Sequence, residues 1–410
     1  MAKRFIINNK NKYKYNVVCF GARDYYQVAL ALYENNILNK VVTDFYCPDF
    51  LRRVIDKRFN VRIKSKKTFS IYFFFILNKL FLKSPIIQRY SDFLFGFFSA
   101  LYTYFGVNRA IVYSYYLTGF MSFYDFFNLK PKKIICFQDH TSNEFINKIL
   151  LKDKKFFFKH QNINFLDSFE SAKEYEYNKN YIRLLKKINS ILCASRVVKN
   201  SINSKLKNSI PIHIVPYGSN FSKNYEFKKK KTNVKKIKLI SVCQLIQRKG
   251  MHWAFHAMNT LDKKIQNKFD WIVVSNFIDR SIMKIAPNNV KFIKKINKKR
   301  LKNLIRNSDL FVMPSLAEGF GHVYNESLSL QTPVLYTSNT GVDHILKNGF
   351  NSIKVKSSSL KSLQIVFKNL YREPKNLEKM SKRCNLLLSH FSWDAFRKKI
   401  IKLVYNLEKN

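Results

Sequence analysis

A strand, a glycine turn and the start of a helix follow one another between residues 308 and 330, and this order limits the possible folds more than any other feature of the chain. The apolar run 310–313 is typical of a buried strand, and Pro314 ends it because proline cannot donate a hydrogen bond to a neighbouring strand. Gly319 and Gly321 then leave the backbone open to the close approach of a ligand. The apolar side chains after the turn have helical spacing, so a helix is expected to begin there.

The same unit recurs elsewhere in the chain. At residues 15–32 a strand-like run leads through Gly21 into a segment where Val28 and Leu32 have helical spacing, and a similar unit spans residues 237–258. Further strand-like runs alternate with helical patterns, at residues 40–43, 110–114, 133–137, 190–195, 271–275, 290–293, 332–336 and 353–355. This alternation predicts an α/β fold of doubly wound, Rossmann-like parallel sheets.

Residues 69–82 and 93–98 are the most apolar parts of the chain. Asn78 and Lys79 interrupt the first run, and neither run reaches the ~20 apolar residues that a membrane-spanning helix needs. We expect both to form helices packed in the first domain, with a helix lying in the membrane interface as the alternative.

The formal net charge of +48 is dispersed along the 410 residues, and lysine-rich composition also follows from A/T-rich codons. A cationic surface is attracted to anionic lipid by roughly 1 kcal/mol for each close basic side chain. No signal peptide opens the chain, and the six cysteines include no C-x-x-C pair. We therefore expect buried free thiols and a cytoplasmic protein held peripherally at the inner face of the membrane.

The N-terminus of the helix near residue 322 offers unpaired N–H groups, which favour a phosphate or diphosphate. Glu318 and Glu326 flank that position, and carboxylates beside an anion are useful as acceptors of hydrogen bonds from sugar hydroxyls. The two glutamates, with seven residues between them and set in E-G-F-G, resemble the signature of retaining GT-B glycosyltransferases, especially glycosyltransferase family 4. An ordinary strand-loop-helix unit with surface glutamates is the alternative.

The resemblance implies that Glu318 contacts the donor hexose and Glu326 the nucleotide ribose. The backbone between them, from Gly319 through Phe320 and Gly321 to His322, would face the donor phosphates or sugar.

A second set of donor-binding residues follows the strand at 237–242. Lys249, just before Gly250, matches the lysine that binds the donor diphosphate in the family. Gln244 stands where an arginine is usual, and Arg248 is the candidate to replace that arginine. His344 lies where family members commonly have glutamate.

Two places in the first half complete the expected site. His140 follows a predicted strand, and the resemblance places a histidine close to the donor sugar; the alternative is that His140 caps the next helix. Gly21 and Arg23, in the turn after the first strand, are the candidates on the acceptor side.

The expected domains are an acceptor domain at 1–221, a nucleotide-sugar donor domain at 222–390 and a terminal helix at 391–410 that packs back on the first domain. A weakly patterned linker is expected at 221–235. The family resemblance implies a retaining hexosyltransferase that acts on a glycan or lipid-linked acceptor in surface polysaccharide or glycolipid synthesis. Its catalytic residues would be His140, Glu318 and Lys249.

No metal or other cofactor is expected besides the nucleotide-sugar co-substrate, since the sequence contains no D-x-D pair. Two other functions stay open. One is a non-catalytic GT-B homologue that binds a nucleotide sugar or carbohydrate, which Gln244 and His344 suggest. The other is a nucleic-acid binder, which the charge alone suggests; no nucleic-acid partner is expected, because no DNA- or RNA-binding signature is present.

Overall fold

Two parallel β-sheets organise the chain in a computed structural model that describes residues 13–52, 58–80, 85–161, 165, 179–202, 208–218, 236–294, 296–342, 346–384, 386 and 392–409. The first sheet has the strand order β3-β2-β1-β4-β5-β6-β7. Its strands are β1 Tyr15–Val18, β2 Leu38–Thr43, β3 Thr68–Ser70, β4 Arg109–Tyr113, β5 Lys133–Gln138, β6 Ser190–Cys193 and β7 Ile212–Ile214. All of its strand pairs are parallel.

The second sheet repeats this arrangement, with the order β10-β9-β8-β11-β12-β13. Its strands are β8 Ile237–Val242, β9 Phe269–Val274, β10 Val290–Ile293, β11 Leu310–Val312, β12 Val334–Thr337 and β13 Ser352–Val355. In both sheets the winding reverses beside the first strand, which opens a crevice at the carboxyl ends of the strands. The predicted pair of doubly wound sheets is confirmed.

Helices connect the strands. They are α1 Gln27–Glu34, α2 Tyr72–Leu80, α3 Pro85–Phe105, α4 Ser114–Phe126, α5 Asn143–Gln161, α6 Lys179–Leu185, α7 Arg196–Ser201, α8 Met251–Asn259, α9 Lys263–Gln266, α10 Arg280–Lys284, α11 Lys298–Arg306, α12 His322–Ser329, α13 Leu360–Arg372, α14 Lys375–Arg383 and α15 Trp393–Lys409. Side chains cap several of them; Ser195 accepts from Val198 N–H at α7, and Asn297 accepts from Arg300 N–H at α11.

The C-terminal helix α15 returns to the first sheet, as the resemblance implies. Glu408 near its end accepts from Arg109 Nε at 3.1 Å and from the Tyr15 hydroxyl. Arg397 donates to the Gln27 side chain at 2.7 Å. These contacts join the last helix to β1, β4 and α1, whereas the boundaries proposed for the domains stay predictions.

The segment at 69–82 differs from its prediction as one packed helix. Its first part is strand β3, in which Phe69 pairs with Val42 at the edge of the sheet. Helix α2 follows, and Phe74 is its single buried residue. The expectation that this helix packs in the core is therefore wrong for most of its length, because the edge strand takes the place beside the sheet and leaves the helix outside it.

Two expectations concern residues outside the described ones. These are the linker at 221–235 and His344. All six cysteines are free, and all are buried except Cys243, which is partly exposed. In the part of the chain that the structure describes, no helix is long and apolar enough to cross a bilayer.

Candidate active site

The turn after β11 is held by hydrogen bonds from three directions. The Tyr324 hydroxyl donates to the Met313 carbonyl at 2.6 Å, and Asn339 Nδ2 donates to the Leu316 carbonyl at 3.0 Å. The Glu318 N–H donates to the Asn339 carbonyl, also at 3.0 Å. The turn therefore presents Glu318 in a defined position at the carboxyl end of the sheet.

Helix α12 begins directly after this turn at His322. Gly321 precedes it in a left-handed conformation, φ +81°, and no side chain caps the helix. The Tyr324 N–H in the first turn donates to the Gly321 carbonyl at 3.0 Å, and no side chain caps the N–H groups before it, where the helix dipole favours an anion. The strand, turn and helix predicted from residues 308–330 are all present.

Glu318 forms the centre of a charged cluster. Arg248 Nη1 lies 3.2 Å from Glu318 Oε2, and Lys249 Nζ contacts the same oxygen. Burial alone would raise the pKa of Glu318, but the charges of Lys249 and Arg248, together with their hydrogen bonds, lower it to about 2. Two cations thus face one carboxylate.

Backbone contacts fix the turn that carries these two cations. The Leu316 N–H donates to the Arg248 carbonyl at 2.8 Å. Gly250 has φ +66°, and a Cβ at this position would lie 2.0 Å from the Pro314 carbonyl oxygen. Since only glycine accommodates both the conformation and the approach, Gly250 allows the two turns of the site to touch.

A buried aspartate supports the same turn from the other half of the molecule. Asp153 on α5 accepts from Gln247 Nε2 at 2.8 Å and from Trp253 Nε1 at 2.6 Å, and His252 Nε2 lies 3.0 Å from its Oδ2. Gln247 Nε2 also donates to the Leu150 carbonyl at 2.9 Å. Gln247 directly precedes Arg248, so Asp153 positions the cationic turn.

The first half of the chain reaches the site at two further points. The Ser195 hydroxyl, which caps α7, donates to the Gly319 carbonyl at 2.6 Å. A Cβ at Gly319 would lie 2.8 Å from His140 Cα, so the two backbones are nearly in contact. His140 Nδ1 lies 3.0 Å from Asp139 Oδ1, and its ring stacks on Tyr115 with a centroid separation of 4.2 Å.

These contacts hold the His140 ring beside the glutamate turn. No side-chain bond to helix α5 is recorded for it among the described residues, so the structure gives no support for the alternative role of His140 as a helix cap.

Aromatic rings enclose the segment between the two glutamates. Phe320 is buried and lies edge-on to Tyr217, with centroids 5.3 Å apart. His322 packs against Tyr217 at 4.7 Å and Trp393 at 5.9 Å. Burial lowers the pKa of His322 to about 4, although the charges of Glu318 and Asp139 oppose this shift. His322 is therefore neutral near pH 7.

Glu326 is exposed on α12. Desolvation by the surrounding protein raises its pKa, whereas Lys302 and Lys298 act to lower it. The pKa of Tyr25, from the loop after β1, is raised by burial and also by the charge of Glu326. The charge of Glu326 therefore acts on a side chain of the first half of the chain.

The loop after β1 carries Gly21 and Arg23, the residues expected on the acceptor side. Gly21 N–H donates to Asp44 Oδ1 at 2.9 Å, and Arg58 forms two hydrogen bonds with the same carboxylate, at 2.8 and 3.0 Å. A Cβ at Gly21 would lie 2.7 Å from Arg58 Nη1. Gly21 is thus covered by this ion pair, and the Arg23 side chain is outside the described residues.

Three consecutive residues of that loop, Asp24, Tyr25 and Tyr26, have positive φ angles of 46°, 55° and 58°. This conformation normally favours glycine, so the loop is strained at these three residues. Asp24 is buried and accepts from the Tyr113 hydroxyl at 2.6 Å. Desolvation raises its pKa to about 7, with the charge of Asp139 as a smaller cause and the Tyr113 and Val28 hydrogen bonds in opposition.

The raised pKa of Asp24 predicts an unusual pH dependence. Folded protein keeps this proton up to about pH 7, whereas an unfolded aspartate loses it near pH 3.9. From about pH 4 to 7, Asp24 should therefore lower the free energy of unfolding by about 1.4 kcal/mol per unit of rising pH, with no further loss above that range.

Denaturant unfolding of Asp24→Asn and wild type across this range tests the prediction. In Asp24→Asn, the free energy of unfolding should no longer show this fall with rising pH. Asp270→Asn, at an exposed position, should show the same fall as wild type. Parallel curves for Asp24→Asn and wild type would contradict a buried, protonated Asp24.

The structure brings together most of the residues expected to bind a donor, namely Arg248, Lys249, Glu318, Gly319, Phe320, Gly321 and His322, with His140 beside them. Gln244 is exposed, with no side-chain bond recorded among the described residues. Asp153, Ser195, Asp24 and Asp44 were not predicted. Asp44 directly follows β2, so the strand-end rule used for His140 could have found it, whereas nothing local distinguishes Asp153.

Comparison with known proteins extends these observations. Residues 222–386 match the family model of glycosyl transferases group 1. An uncharacterized glycosyltransferase from Methanocaldococcus jannaschii is 23% identical over 210 residues, which cover 50% of this chain and 56% of that protein. The chain thus spans about half the length of this curated relative.

Solved structures match over almost the whole chain. Sucrose-phosphate synthase from Thermosynechococcus elongatus aligns with a TM-score of 0.63 and 12% identity, covering 97% of this chain and 100% of that one. Anabaena HepE, solved with UDP and glucose, aligns with a TM-score of 0.58 and 11% identity, covering 96% of this chain and 100% of that one. A glycosyltransferase from Rickettsia africae aligns with a TM-score of 0.58 and 13% identity, covering 98% of this chain and 100% of that one.

This chain has the GT-B fold. The GT-B arrangement accounts for the position of the cluster, because two doubly wound sheets place their carboxyl ends around one gap. The glutamate turn and the cationic turn both belong to the part of the chain that is similar to glycosyl transferases group 1.

Proposed function

We propose that this protein is a retaining glycosyltransferase that moves a hexose from a nucleoside-diphosphate sugar to a glycan or lipid-linked acceptor. The observation that carries the proposal is the cluster of Arg248 and Lys249 on Glu318, beside the uncapped start of α12. A diphosphate leaving group needs positive charge placed in advance, and this site supplies it. The family match over residues 222–386 supports the same activity.

Donor binding would rearrange the ion pairs of the cluster. The diphosphate would accept from Arg248 and Lys249 and from the first N–H groups of α12, and Glu318 would then accept from hydroxyls of the hexose. Glu326, exposed on the same helix, is proposed to bind the ribose. As the sugar-phosphate bond breaks, negative charge on the diphosphate would grow against groups already in position.

The acceptor is proposed to enter from the first half of the molecule. His140, held by Asp139 and Tyr115, would lie close to the donor sugar. The loop containing Gly21 and Arg23 borders that side, and the charge of Glu326 acts on Tyr25 in this loop. Closure of the gap around both substrates would exclude water and limit hydrolysis of the donor.

The names of structural neighbours fit a sugar-nucleotide reaction. Anabaena HepE was solved with UDP and glucose, and a trehalose-phosphate synthase from Burkholderia xenovorans, with a TM-score of 0.55, was solved with glucose-6-phosphate. We propose a metal-independent reaction, because side chains and a helix N-terminus are available to neutralise the diphosphate. A role in surface polysaccharide or glycolipid synthesis, in the cytoplasm at the membrane, is part of the proposal.

One observation favours a second candidate, a non-catalytic GT-B protein that binds a nucleotide sugar. Gln244 is neutral and exposed where the family usually has an arginine. Mass-spectrometric detection of products with a panel of nucleotide sugars and sugar acceptors separates the two candidates. Detection of a glycosylated product supports the enzyme. Donor binding with neither product formation nor donor hydrolysis supports the binding protein.

Glu326→Ala should weaken nucleoside-diphosphate binding by about tenfold or more, because a hydrogen bond to a charged group is lost. Isothermal titration calorimetry with UDP and GDP measures the change. Glu378→Ala is the matched control, since Glu378 is an exposed helical glutamate of α14. Equal affinity in Glu326→Ala and wild type would remove Glu326 from the donor site while leaving the cationic cluster to be tested separately.

A further inference from the structure

The outer face of α3 is apolar along most of its length. Tyr90, Leu94, Phe98, Leu101 and Phe105 recur at spacings of four, four, three and four residues, so they form one stripe on the helix. These five side chains are between 37% and 79% exposed. Surface helices normally turn polar residues outward, and a contiguous apolar stripe of this kind indicates an interaction surface.

Helix α2 extends the same surface. Its Phe73, Ile76 and Leu80 are more than half exposed, whereas Phe74 is buried beside Phe95 of α3, with ring centroids 5.7 Å apart. The two helices therefore already have a buried inner side, and the exposed residues are not needed for that packing. Both helices have a second apolar side that the described part of this chain leaves uncovered.

A groove of about 520 Å³ indents this surface next to the edge strand β3. Phe69 of that strand stacks on Tyr102 with ring centroids 4.0 Å apart. The lining is mainly apolar and aromatic, and its residues are Asn39, Phe69, Ile71, Phe98, Leu101, Tyr102, Phe105 and Gly106. Such a groove suits a hydrocarbon chain better than a polar ligand.

Four lysines lie near the groove, toward the amino ends of the same strands: Lys14 just before β1, Lys40 in β2, and Lys66 and Lys67 just before β3. Lys40 Nζ donates to the Lys66 carbonyl at 2.5 Å, and Lys67 Nζ donates to the Leu38 carbonyl at 3.4 Å. Burial lowers the pKa of Lys67, and the charges of Lys14, Lys40 and Lys66 lower it further. Lys66 is exposed. Positive charge therefore stands beside apolar surface, which is the combination that an anionic membrane recognises.

We infer that the outer faces of α2 and α3, with the groove and its four lysines, dock this protein on an anionic phospholipid bilayer. Lipid chains contact the apolar stripe and enter the groove, and phosphate groups contact the lysines. Asn39 lies near the start of β2, and Gly106 precedes β4, so the groove lies toward the amino ends of the first sheet, whereas α2 begins after the carboxyl end of β3.

This inference does not depend on the proposed glycosyl transfer, because membrane docking is measured without any sugar substrate. Flotation of the full chain with phosphatidylcholine vesicles, with and without phosphatidylglycerol, is the first test. Wild type should float with the vesicles that contain phosphatidylglycerol. Phe98→Glu should bind these vesicles at least about tenfold more weakly, because it puts a charge into the apolar stripe. Lys66→Ala should lower the affinity for the anionic vesicles by about fivefold and leave the affinity for the phosphatidylcholine vesicles unchanged.

The controls use the second half of the chain. Ile365 is 48% exposed on α13, so Ile365→Glu makes the same chemical change on a different surface. Lys361→Ala, also at an exposed position of α13, matches the lysine variant. Both controls should float like wild type. Equal flotation of Phe98→Glu and Ile365→Glu would overturn the assignment of this surface.

A gain-of-signal measurement covers the case in which Phe98→Glu fails to fold. Phe98→Trp conserves the aromatic character, and its fluorescence should be quenched by brominated lipid in phosphatidylglycerol vesicles, whereas that of Ile365→Trp should not. Equal quenching in the two variants would overturn the inference. So would a dimer in lipid-free light scattering that Phe98→Glu dissociates while vesicle binding is unchanged, because the surface would then be a contact between copies of the chain.

Discussion

Lys249→Ala should lower the turnover of the donor by about 100- to 1,000-fold, the usual cost of removing one preorganised group that stabilises charge in a transition state. Lys249 contacts the partly buried Glu318 together with Arg248, and no other cation is recorded on that carboxylate among the described residues. In the variant, Arg248 alone would have to balance Glu318 and also bind the diphosphate. Both the affinity for the nucleotide and the rate of transfer should therefore fall.

Two measurements check this expectation. Calorimetry with UDP and GDP reports binding without chemistry, and initial rates with the donor identified by the product screen report transfer. Lys264→Ala, at an exposed lysine of α9, is the control and should behave as wild type. Thermal unfolding of Lys249→Ala should show a folded protein. Wild-type affinity and rate in that folded variant would refute the donor site proposed here.

Asp153→Ala should lower the free energy of unfolding by about 3–5 kcal/mol. The carboxyl group of Asp153 is buried and contacts Gln247, His252 and Trp253, and truncation would leave these polar groups without their partner. His252 Nδ1 is already buried without a hydrogen-bond partner among the described residues. No nearby group is therefore recorded that could replace the lost contact of Asp153 with His252. Denaturant unfolding at equilibrium measures the loss.

Asp153→Asn separates the stabilising role from the positioning role. It conserves volume and one acceptor oxygen but adds a donor facing three other polar groups, so Gln247 should shift and the adjoining Arg248 and Lys249 should move with it. We expect weaker binding of UDP or GDP in the folded Asp153→Asn protein, with the nucleotide affinity of Asp270→Ala unchanged. A variant that is destabilised but binds nucleotide normally would limit Asp153 to a role in stability.

Helix α5, which carries Asp153, packs against the second sheet although it follows a strand of the first. It leaves the first sheet after β5, yet Leu150 and Phe157 on it belong to the same buried cluster as Leu239 and Trp271 of the second sheet. A change at Asp153 therefore acts on the junction between the two sheets and on the cationic turn at once. Double variants with Lys249→Ala would show whether the two effects on nucleotide affinity are coupled.

Much of the fold was readable because its signals are local. The strand predicted at Val290–Ile293 has the same bounds in the structure, and the first six residues of the 237–258 unit form β8 as expected. Period-two and helical patterns, turn glycines and capping residues such as Ser195 act within a few residues of the chain. The donor motif was readable for the same reason, since Glu318 through Glu326 is one continuous segment.

Local patterns failed where a segment had two possible neighbours. Residues 69–82 are apolar enough for a core helix, but whether an apolar side chain is buried depends on which element lies beside it. Strand β3 occupies the edge of the sheet, and Phe73 and Ile76 on α2 are left exposed. The loop after β1 shows the same limit, because Asp24, Tyr25 and Tyr26 have left-handed conformations and no glycine at these positions indicates them in the sequence.

By itself, the sequence determined the alternation of strands and helices, the doubly wound class of the fold and the strand, glycine turn and helix that carry Glu318 and Glu326, because each depends on residues close together in the chain. Only the tertiary structure decided that Lys249 and Arg248 share Glu318, and that Asp153 holds the turn before them. Those contacts join residues 69 to 100 positions apart. The order of strands in the two sheets brings them together, and that order is a property of the packed molecule.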